Sequence, residues 1–497
     1  MGFPFILSII VFAPLLGLLL LTLVAKTKEK TIKTVAILST LPSLFLSIYL
    51  IISSKMGVEL VSYSGKLSWM QFGNPEVFGK LYSIDYELGV DGFSLTLLLL
   101  TALLSTLAAF ASFQIKAGWK GYYMLFLLLE VGMLGVFAAE NLVLFFIFFE
   151  VTLVATFFLI GKWGLYEKER TAFSLLIYNG IGSAILLVVI MVLFAKTGTA
   201  NIEALMSILS ADDGTVFSSK EKTGLLLALF IAFGIKLPIW PFHSWMVKVH
   251  AEAPAAIVML HAGVLLKIGA YGLIHFGLGF FPNQFQSLTL WLAILGVINL
   301  LYGAFLALSQ QELRKILAYS SISHMGIVLI GLAALNEAGI QGAMFQVVSH
   351  GLIAALFFYL IGIFYERYQS SSMDDLNGLA KTMPIASGFL LVAGLASLGL
   401  PGMSGFVAEF LVFLGLFQEW PVLAVIACLG IILTAVYILR AVLGITFGQQ
   451  EKVKRVRDMT SLEIWPAIIL LLCIVGIGVY PDIIGSTLKS IIIGLGG

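Results

Sequence analysis

Residues 142–161 read Leu-Val-Leu-Phe-Phe-Ile-Phe-Phe-Glu-Val-Thr-Leu-Val-Ala-Thr-Phe-Phe-Leu-Ile-Gly. This stretch contains one charged side chain, Glu150, and a helix of ~20 mostly apolar residues is long enough to cross the hydrocarbon core of a bilayer. Because no water is available there to hydrogen-bond a free backbone, such a segment is expected to be helical. The stretch therefore predicts a transmembrane helix with a carboxyl group near its middle.

The composition of the whole chain agrees with that stretch. Of its 497 residues, 60% are apolar and 11% are charged, whereas an ordinary soluble domain is about 45–50% apolar and about 25% charged. The 28 Lys and Arg are balanced by 27 Asp and Glu, so no basic excess is available to neutralise nucleic-acid phosphates. The composition excludes a typical soluble enzyme, a disordered regulator and a nucleic-acid binder, and it predicts an all-α membrane protein.

Apolar windows separated by short polar breaks predict about fourteen transmembrane helices. The first apolar segment is too long for a signal-peptide core and is followed by Lys26, so we expect it to be retained as a span. The longest polar connections, 54–87 and 195–223, are too short to form a domain. The predicted spans are 3–25, 34–53, 88–112, 121–139, 142–161, 172–194, 224–240, 254–276, 286–308, 316–335, 339–363, 384–417 (broken), 421–445 and 463–481.

The distribution of Lys and Arg predicts how the chain is oriented. The loops on one side hold 18 of these residues, the loops on the other side hold 7, and Lys236, Lys267 and Arg440 lie within predicted spans. Short cytoplasmic loops of membrane proteins carry the excess of positive charge. The basic loops are therefore predicted to be inside, which places both termini on the outer side of the membrane.

Several titratable side chains lie inside the predicted spans. A charge in the middle of a bilayer costs several kcal/mol, so such a residue usually faces the interior of the helix bundle and marks an ion pathway. The alternative is a structural role, either as an ion pair or as an end residue that extends its charge to the interface. For Glu130 the pathway and the structural role both remain open, whereas for Arg440 the role of an end residue is favoured. The remaining candidates are Glu150, Lys236, Lys267, His324, His350 and Glu409.

Two of the predicted spans contain a break. Lys236 is followed by Pro238 and Pro241, and Gly399-Leu400-Pro401-Gly402 precedes Glu409 by a few residues. Proline removes a backbone donor and kinks a helix, so a simple kink is one explanation. Broken helices at matching positions in two halves are, however, typical of transporters with inverted repeats, and a titratable side chain beside each break suits a proton or cation path.

The histidines and the missing motifs narrow the chemistry further. His324 and His350 lie in successive spans, where an imidazole can relay protons, although a buried histidine is more often part of the core; His275 lies near a span end, where we expect a structural role. The sequence has no His-x-x-x-His pair, no phosphate-binding loop, and only two cysteines. We therefore expect no metal and no cofactor in this chain, which could conduct an ion but contains no visible energy source.

Together these motifs resemble the antiporter-like membrane subunits of respiratory NADH–quinone oxidoreductase (complex I), a proton-conducting family shared with multisubunit cation/proton antiporters. The resemblance runs from about Val90 to about Arg440. It rests on Phe148-Phe149-Glu150, Lys236-Leu237-Pro238, His243-Ser244-Trp245, His250-Ala251-Glu252-Ala253-Pro254, Leu265-Leu266-Lys267, Ser323-His324-Met325-Gly326, Ser349-His350-Gly351, Gly399-Leu400-Pro401-Gly402 and Ala408-Glu409-Phe410.

The resemblance implies a fold of fourteen helices with two inverted five-helix repeats, in which helices 7 and 12 are broken. It divides the chain into an N-terminal three-helix region at 1–112, a first repeat at 121–276, a second repeat at 286–445, and a C-terminal helix and tail at 463–497. It also assigns proton translocation to Glu150, Lys236, Lys267, His324, His350 and Glu409. The last of these is a glutamate where sister subunits of the family usually carry lysine.

The implied function is proton translocation in the cytoplasmic membrane of a bacterium, as a subunit of an H⁺-translocating NADH:quinone oxidoreductase. The NADH, flavin, iron–sulfur and quinone sites would lie in partner subunits, and the partners would include other membrane-arm subunits, among them sister antiporter-like chains, and lipid. The alternative within the family is a subunit of a Na⁺/H⁺ antiporter complex or of a membrane-bound hydrogenase. The sequence departs from the family at Met246-Val247, where Leu-Pro is usual, and at His261.

The alternative to a transport function is a structural one, in which the chain is a membrane scaffold that only docks other subunits. It would have no reason to bear the cost of Lys236, Lys267 and Glu409 in apolar spans. It predicts that these charges can be replaced without loss of activity, and this distinguishes it from the transport hypothesis.

Overall fold

The computed structural model describes residues 5–73, 82–112, 115–449 and 456–495, and within them the chain is almost entirely helical. Lys80, Lys452, Lys454 and Arg455, which were counted as loop charges, lie outside these residues. The first-half helices are α1 Ile6–Leu23, α2 Glu29–Lys55, α3 Gly92–Ala111, α4 Trp119–Ala138, α5 Leu142–Trp163, α6 Lys168–Thr197, α7 Ile202–Ala211, α8 Ser219–Lys236, α9 Ser244–Glu252 and α10 Ala255–Leu278. The remaining helices are α11 Pro282–Ser287, α12 Thr289–Ser309, α13 Leu313–Ala334, α14 Glu337–Tyr368, α15 Met373–Leu376, α16 Pro384–Ser397, α17 Ser404–Glu419, α18 Pro421–Phe447, α19 Ser461–Val479 and α20 Asp482–Leu495.

Twelve of the helices in the described residues are long and apolar enough to cross a membrane. The number rises to thirteen if the segment Met373–Lys381 and the helix α16, which are bent by 111° relative to each other, count as one span. These twelve coincide with twelve of the fourteen predicted spans. The other two predicted spans are the broken ones. The helix α8 is continuous but carries Lys220, Glu221 and Lys222 in its first turn, and α16 and α17 are each too short to cross alone. The exact number of crossings stays a prediction.

The core of the bundle is formed by α10, α13 and α14. The most apolar window of α10 and of α14 is completely buried and that of α13 is 94% buried, whereas the corresponding windows of α18 and α19 are 33% and 28% buried. The central helices thus pack only against protein, and the peripheral helices leave wide apolar faces for lipid or other subunits. Polar side chains on α10, α13 and α14 consequently lie inside the bundle.

The first break separates α8 from α9. Leu237 still donates its N–H to Phe233, but Pro238 has no N–H to continue the ladder. The backbone N–H of Trp240, beyond the break, donates to Oδ1 of Asn299 at 2.8 Å, and Nδ2 of the buried Asn299 donates to Ile322 O at 2.8 Å. A side chain of α12 thus satisfies a backbone group that the break sets free.

The second break separates α16 from α17. Gly399 and Gly402 have φ values of +67° and +92°, in a region that side chains with a Cβ disfavour. A Cβ on Gly399 would also lie 2.6 Å from Oε2 of Glu409. Beyond the break, Ser404 Oγ and Ser349 Oγ are 2.7 Å apart. Glycine at 399 therefore allows both the turn and the close approach of the Glu409 carboxyl group.

Helix α10 is regular only in part. Residues His261–Leu265 and Leu273–Leu278 form two π-helical turns on either side of Lys267. Such turns often occur at functional sites. They change the direction in which later side chains point, so the positions of His261, Lys267 and His275 could not be read from a simple helical period.

Two short strands, which no pattern in the sequence predicts, precede α3. Strands β1 Gly65–Phe72 and β2 Tyr82–Leu88 pair antiparallel. Lys66 on β1 forms ion pairs with Asp85, at 3.1 Å, and with Glu87, both on β2. These two partners hold the pKa of Lys66 above its usual value. The hairpin lies in the 54–87 connection, on the side of the membrane predicted to face outward.

One pattern of backbone bonds occurs in both halves of the chain. In the first half, Leu142 N donates to Ala200 O and Ile202 N donates to Glu140 O. In the second half, Leu313 N donates to Ser371 O and Met373 N donates to Gln311 O. In each half these bonds join the start of a long helix to the start of a later, shorter one. The recurrence supports the predicted pair of repeats, whose boundaries remain a prediction.

Candidate functional site

Glu150 and Lys236 lie close enough on α5 and α8 to interact electrostatically. Lys236 is 3% exposed, and its Nζ lies 4.9 Å from the centroid of the Phe149 ring. Within the described residues the two groups form no direct ion pair, and Oε1 of Glu150 is buried without a hydrogen-bond partner. The aromatic face gives the ammonium partial stabilisation in place of a direct ion pair.

Lys267 and His350 form the centre of the site. Lys267 has no exposed surface, and its Nζ lies 2.6 Å from Nδ1 of His350. The two residues come from α10 and α14, the two helices whose apolar windows are completely buried. An ammonium and an imidazole at this distance share a hydrogen, so a proton can pass between them within one hydrogen bond.

His324 on α13 continues the chain of polar groups. Its ring centroid lies 5.4 Å from that of His350. Nδ1 of His324 lies 3.1 Å from Nε2 of Gln346 and 3.8 Å from Oε1 of Glu409, and Nε2 lies 3.4 Å from Ser397 Oγ. The imidazole therefore faces His350 on one side and Glu409 on another.

Glu409 on α17 is 8% exposed and ends this chain of groups. A cavity of about 10 Å³ lies between His324, Gln346, His350 and Glu409, which is roughly the space that one water molecule requires. On its other side Glu409 lines an open apolar groove of about 520 Å³ beside Phe406 and Phe410. The carboxyl group thus separates the buried axis from the surface of the bundle.

Two histidines that we did not assign to the site fill the region between the lysines. Nε2 of His250 lies 3.1 Å from Nδ1 of His261, and both side chains are almost completely buried. His261 interacts electrostatically with Lys236 and with Lys267. The only feature of the sequence that singled out His261 was its departure from the family pattern. Its contact with His250 crosses the junction of α9 and α10 at Pro254, so no helical period predicts it.

One residue of the predicted inner loops, Arg314, lies inside the bundle. The predicted spans place Arg314 in an inner loop, but it lies on α13 and is buried. Its Nη1 donates to the carbonyl oxygens of His250, Ala251 and Ala253, at 3.5, 3.2 and 2.9 Å. These are carbonyls at the end of α9, which a cation stabilises. Arg314 therefore fixes the end of α9 where it meets the buried histidines.

The structure brings four of the six predicted site residues into one continuous group: Lys267, His350, His324 and Glu409. Glu150 and Lys236 form a separate pair, which His261 connects to Lys267 through electrostatic interaction. Glu130 lies apart on α4, completely buried, with both carboxyl oxygens unpartnered. Arg440 donates to the carbonyl oxygens of Leu308 and Gln310 near the end of α12, as a helix-end residue would. In the described part of the chain, no cluster of His, Cys, Asp and Glu has the arrangement of a metal site.

Comparison with known proteins identifies the class to which this site belongs. A family model described as NADH:quinone oxidoreductase/Mrp antiporter, transmembrane, matches residues 139–434. The chain therefore belongs to the NADH:quinone oxidoreductase/Mrp antiporter family. Among its relatives, NADH-quinone oxidoreductase subunit M of Rhodobacter capsulatus is 34% identical over 505 aligned positions, covering 98% of this chain and 96% of that protein. These matches confirm the resemblance predicted from the motifs.

Solved structures share the fold over its whole length. A chain of respiratory complex I from Thermus thermophilus with bound NADH superposes with a TM-score of 0.84 and 26% identity, covering 99% of this chain and 100% of that chain. A chain of the Mrp complex from Dietzia sp. DQ12-45-1b superposes with a TM-score of 0.82 and 21% identity, covering 99% of each chain. The second likeness concerns the fold alone. Both confirm a predominantly α-helical, multi-pass membrane fold.

Proposed function

We propose that this chain is a proton-translocating membrane subunit of a respiratory NADH–quinone oxidoreductase-type complex. The observation that supports it most is the group of neighbouring buried titratable side chains that runs from Lys267 through His350 and His324 to Glu409, with a cavity of about 10 Å³ between the last three. Proton transfer needs donors and acceptors within hydrogen-bond reach or one water apart. A purely structural role would not require four such groups in the most deeply buried part of the bundle.

The Glu150–Lys236 pair controls loading of the axis in this proposal. When Glu150 approaches, its carboxylate stabilises the ammonium form of Lys236. When the two separate, Lys236 releases its proton by way of His261 towards Lys267. The proton then passes through His350 and His324 to Glu409 and leaves on the outer side. Neighbouring subunits drive the cycle by acting electrostatically on the pair.

The chain itself supplies only the ion path. The redox groups that provide the energy, namely NADH, flavin, iron–sulfur clusters and quinone, are assigned to partner subunits of the complex, and the membrane-arm partners include sister antiporter-like chains. The complex is placed in the cytoplasmic membrane of a bacterium. The excess of Lys and Arg in one set of loops supports an orientation with both termini on the outer side.

The test is proton uptake by inverted membrane vesicles that contain the assembled complex at matched expression. Lys236→Ala and Glu409→Gln should each abolish or strongly reduce the proton gradient while the complex stays assembled. Lys220→Ala, at an exposed lysine on the same helix as Lys236, is the matched control and should pump normally. An unchanged gradient in both axis variants would contradict the proposal and favour the scaffold hypothesis.

The second candidate is a subunit of a Na⁺/H⁺ antiporter complex, which the whole-length likeness to a chain of an Mrp complex favours. The same vesicles distinguish the two functions. A redox-driven proton pump acidifies the vesicle interior when Na⁺ is replaced by K⁺, and it requires the redox substrate. An antiporter requires Na⁺ and exchanges protons when an imposed Na⁺ gradient is the only energy source.

A further inference from the structure

A line of polar side chains runs along α10 from the centre of the site to the end of the helix predicted to face outward. It consists of Lys267, Tyr271 and His275. Lys267 and Tyr271 are four residues apart within the regular turn Lys267–Gly272 and so lie on the same helix face, and the His275 ring contacts the ring of Tyr271. All three side chains are buried. The line begins at a group of the proposed proton axis, and neither Tyr271 nor His275 has a role in that axis.

Tyr271 lies in a layer of aromatic rings. The ring centroids of Phe93, Phe137, Phe145 and Phe276 lie 6.2, 5.3, 6.3 and 6.2 Å from that of Tyr271. A layer of rings this dense excludes water, so it blocks a proton wherever it offers no polar group. Tyr271 is 4% exposed. Its contact with His275 Nδ1, at 3.2 Å, is made by the Tyr271 backbone carbonyl oxygen and not by the hydroxyl group. The hydroxyl group, which can both donate and accept a hydrogen bond, is therefore the polar group that Tyr271 contributes to this layer of rings.

Beyond this layer, an ion pair between His275 and Asp91 connects the polar side chains of α10 to the exposed surface. The His275 ring stacks on Tyr271 with centroids 4.0 Å apart, and Nε2 of His275 lies 2.5 Å from Oδ2 of Asp91. Asp91 caps the start of α3 by accepting a hydrogen bond from Ser94 N, and its side chain is 39% exposed. The pair with His275 and these capping bonds hold the pKa of Asp91 below its usual value, against the effect of burial.

A second carboxyl group lies at the same end. Glu140, in the turn between α4 and α5, interacts electrostatically with Asp91 and with Tyr271. Burial, together with the nearby carboxylates of Asp91, Glu203 and Glu87, raises the pKa of Glu140 to about 7. The cation at this end, Lys66, pairs with Asp85 and Glu87. Glu140 is thus able to take up and release a proton near neutral pH.

We propose that the Tyr271 hydroxyl group passes protons from Lys267 through the aromatic layer to the His275–Asp91 pair, forming an outer exit distinct from Glu409. In each transfer the hydroxyl oxygen accepts one proton from the side of Lys267 and releases its own hydrogen towards the pair, so the phenol remains neutral. Asp91 and Glu140 then release the proton to water. This inference rests on the proposed function, because it takes Lys267 to be a carrier of translocated protons.

The experiment measures protons released per electron pair by the complete complex in sealed vesicles. Tyr271→Phe removes only the hydroxyl group and keeps the ring of the aromatic layer. Tyr122→Phe is the matched control, because Tyr122 is equally buried but bonds Ser112 away from this line. We expect Tyr271→Phe to reduce the proton yield at least twofold and Tyr122→Phe to leave it unchanged. Full yield in Tyr271→Phe would overturn the proposal.

A second variant decides the matter if Tyr271→Phe does not assemble. Asp91→Asn keeps the helix cap, because asparagine caps helices as well as aspartate does, but removes the proton acceptor next to His275; it should also reduce the yield, and a normal yield would refute the exit. Lys236→Ala separates the two proposals. If Lys236→Ala pumps normally, the proposed function fails; if Lys236→Ala is inactive while Tyr271→Phe and Asp91→Asn pump fully, only the exit is wrong.

Discussion

At the scale of single residues, the contact between Lys267 and His350 shows what the sequence could and could not predict. Both residues were recognisable as polar groups in apolar spans within family motifs. Their 2.6 Å contact depends on two helices far apart in the chain, and no spacing rule predicts it. The contact of His250 with His261 was missed for the same reason, since it joins two helices across a proline junction.

Glu140 gives a prediction about pH at this scale. Its folded pKa of about 7 exceeds the ordinary value of 4.5, so the folded state binds this proton more tightly than the unfolded state does. The stabilisation is complete below about pH 4.5 and is lost as pH rises through 7. We therefore expect Glu140→Gln to raise the thermal unfolding midpoint of the complex relative to wild type at pH 8 more than at pH 5.

The control for that measurement is Glu419→Gln, at an exposed glutamate at the end of α17. Its effect on the unfolding midpoint should be small and nearly the same at both pH values. If Glu140→Gln shows no larger difference between pH 5 and pH 8 than the control does, the carboxyl group of Glu140 does not titrate in this range.

At the scale of helices, the two breaks could be predicted and their supports could not. Proline and glycine mark the ends of regular helix directly in the sequence, so the interruptions after Lys236 and before Glu409 were expected. The side chain of Asn299, which satisfies Trp240 N from another helix, carries no local signal. The π-helical turns of α10 likewise have no signal of their own: each contains a glycine, Gly263 or Gly277, but regular helices of this chain such as α4 contain glycines as well.

Gly399 gives a prediction at the scale of the broken helix. Gly399→Ala places a Cβ at a φ of +67° and 2.6 Å from Oε2 of Glu409. The backbone strain alone costs about 1–3 kcal/mol, and the contact displaces the carboxyl group from His324. We expect a lower unfolding midpoint together with a reduced proton yield.

Gly388→Ala is the matched control, because Gly388 lies inside α16 with open space around its Cα. Alanine in a helix is about 0.5–1 kcal/mol more favourable than glycine, so this variant should unfold at the same or a higher temperature and pump normally. Equal behaviour of the two variants would show that neither the left-handed backbone nor the approach of Glu409 constrains position 399.

At the scale of the whole molecule, composition and motifs were sufficient to predict the class of protein. High apolar content and few charges require a membrane bundle, and the short list of buried charges indicates its interior. The antiparallel hairpin before α3 was not predicted, because a polar connection of that length has no distinctive pattern. The paths between buried groups were also beyond prediction, since they depend on how both halves pack around α10, α13 and α14.

The proposed arrangement of the axis in series gives a prediction at this scale. If every translocated proton passes Lys236 before it reaches Glu409 or the exit at Tyr271, blocking Lys236 already stops the flow through Glu409. The double variant Lys236→Ala/Glu409→Gln should therefore lose no more proton yield than the more impaired single variant, which is a non-additive result. Losses that multiply would instead indicate parallel paths, and they would be measured in the same vesicle assay with Lys220→Ala as control.

The two π-helical turns of α10 have a consequence for how this helix tolerates changes in length. Each residue of a regular α-helix advances the angular direction of the side chains by about 100°. Deleting one residue within His261–Leu265, a change that shortens the π-turn towards a regular turn, would rotate Lys267 and everything after it relative to His261. The helix would gain regular geometry, and the 2.6 Å approach of Lys267 Nζ to Nδ1 of His350, which depends on that angle, would change with it. In this helix the irregular turn sets the angle between the side chains of His261 and Lys267. An insertion or deletion in the turn therefore alters the contacts of residues that follow it in the chain.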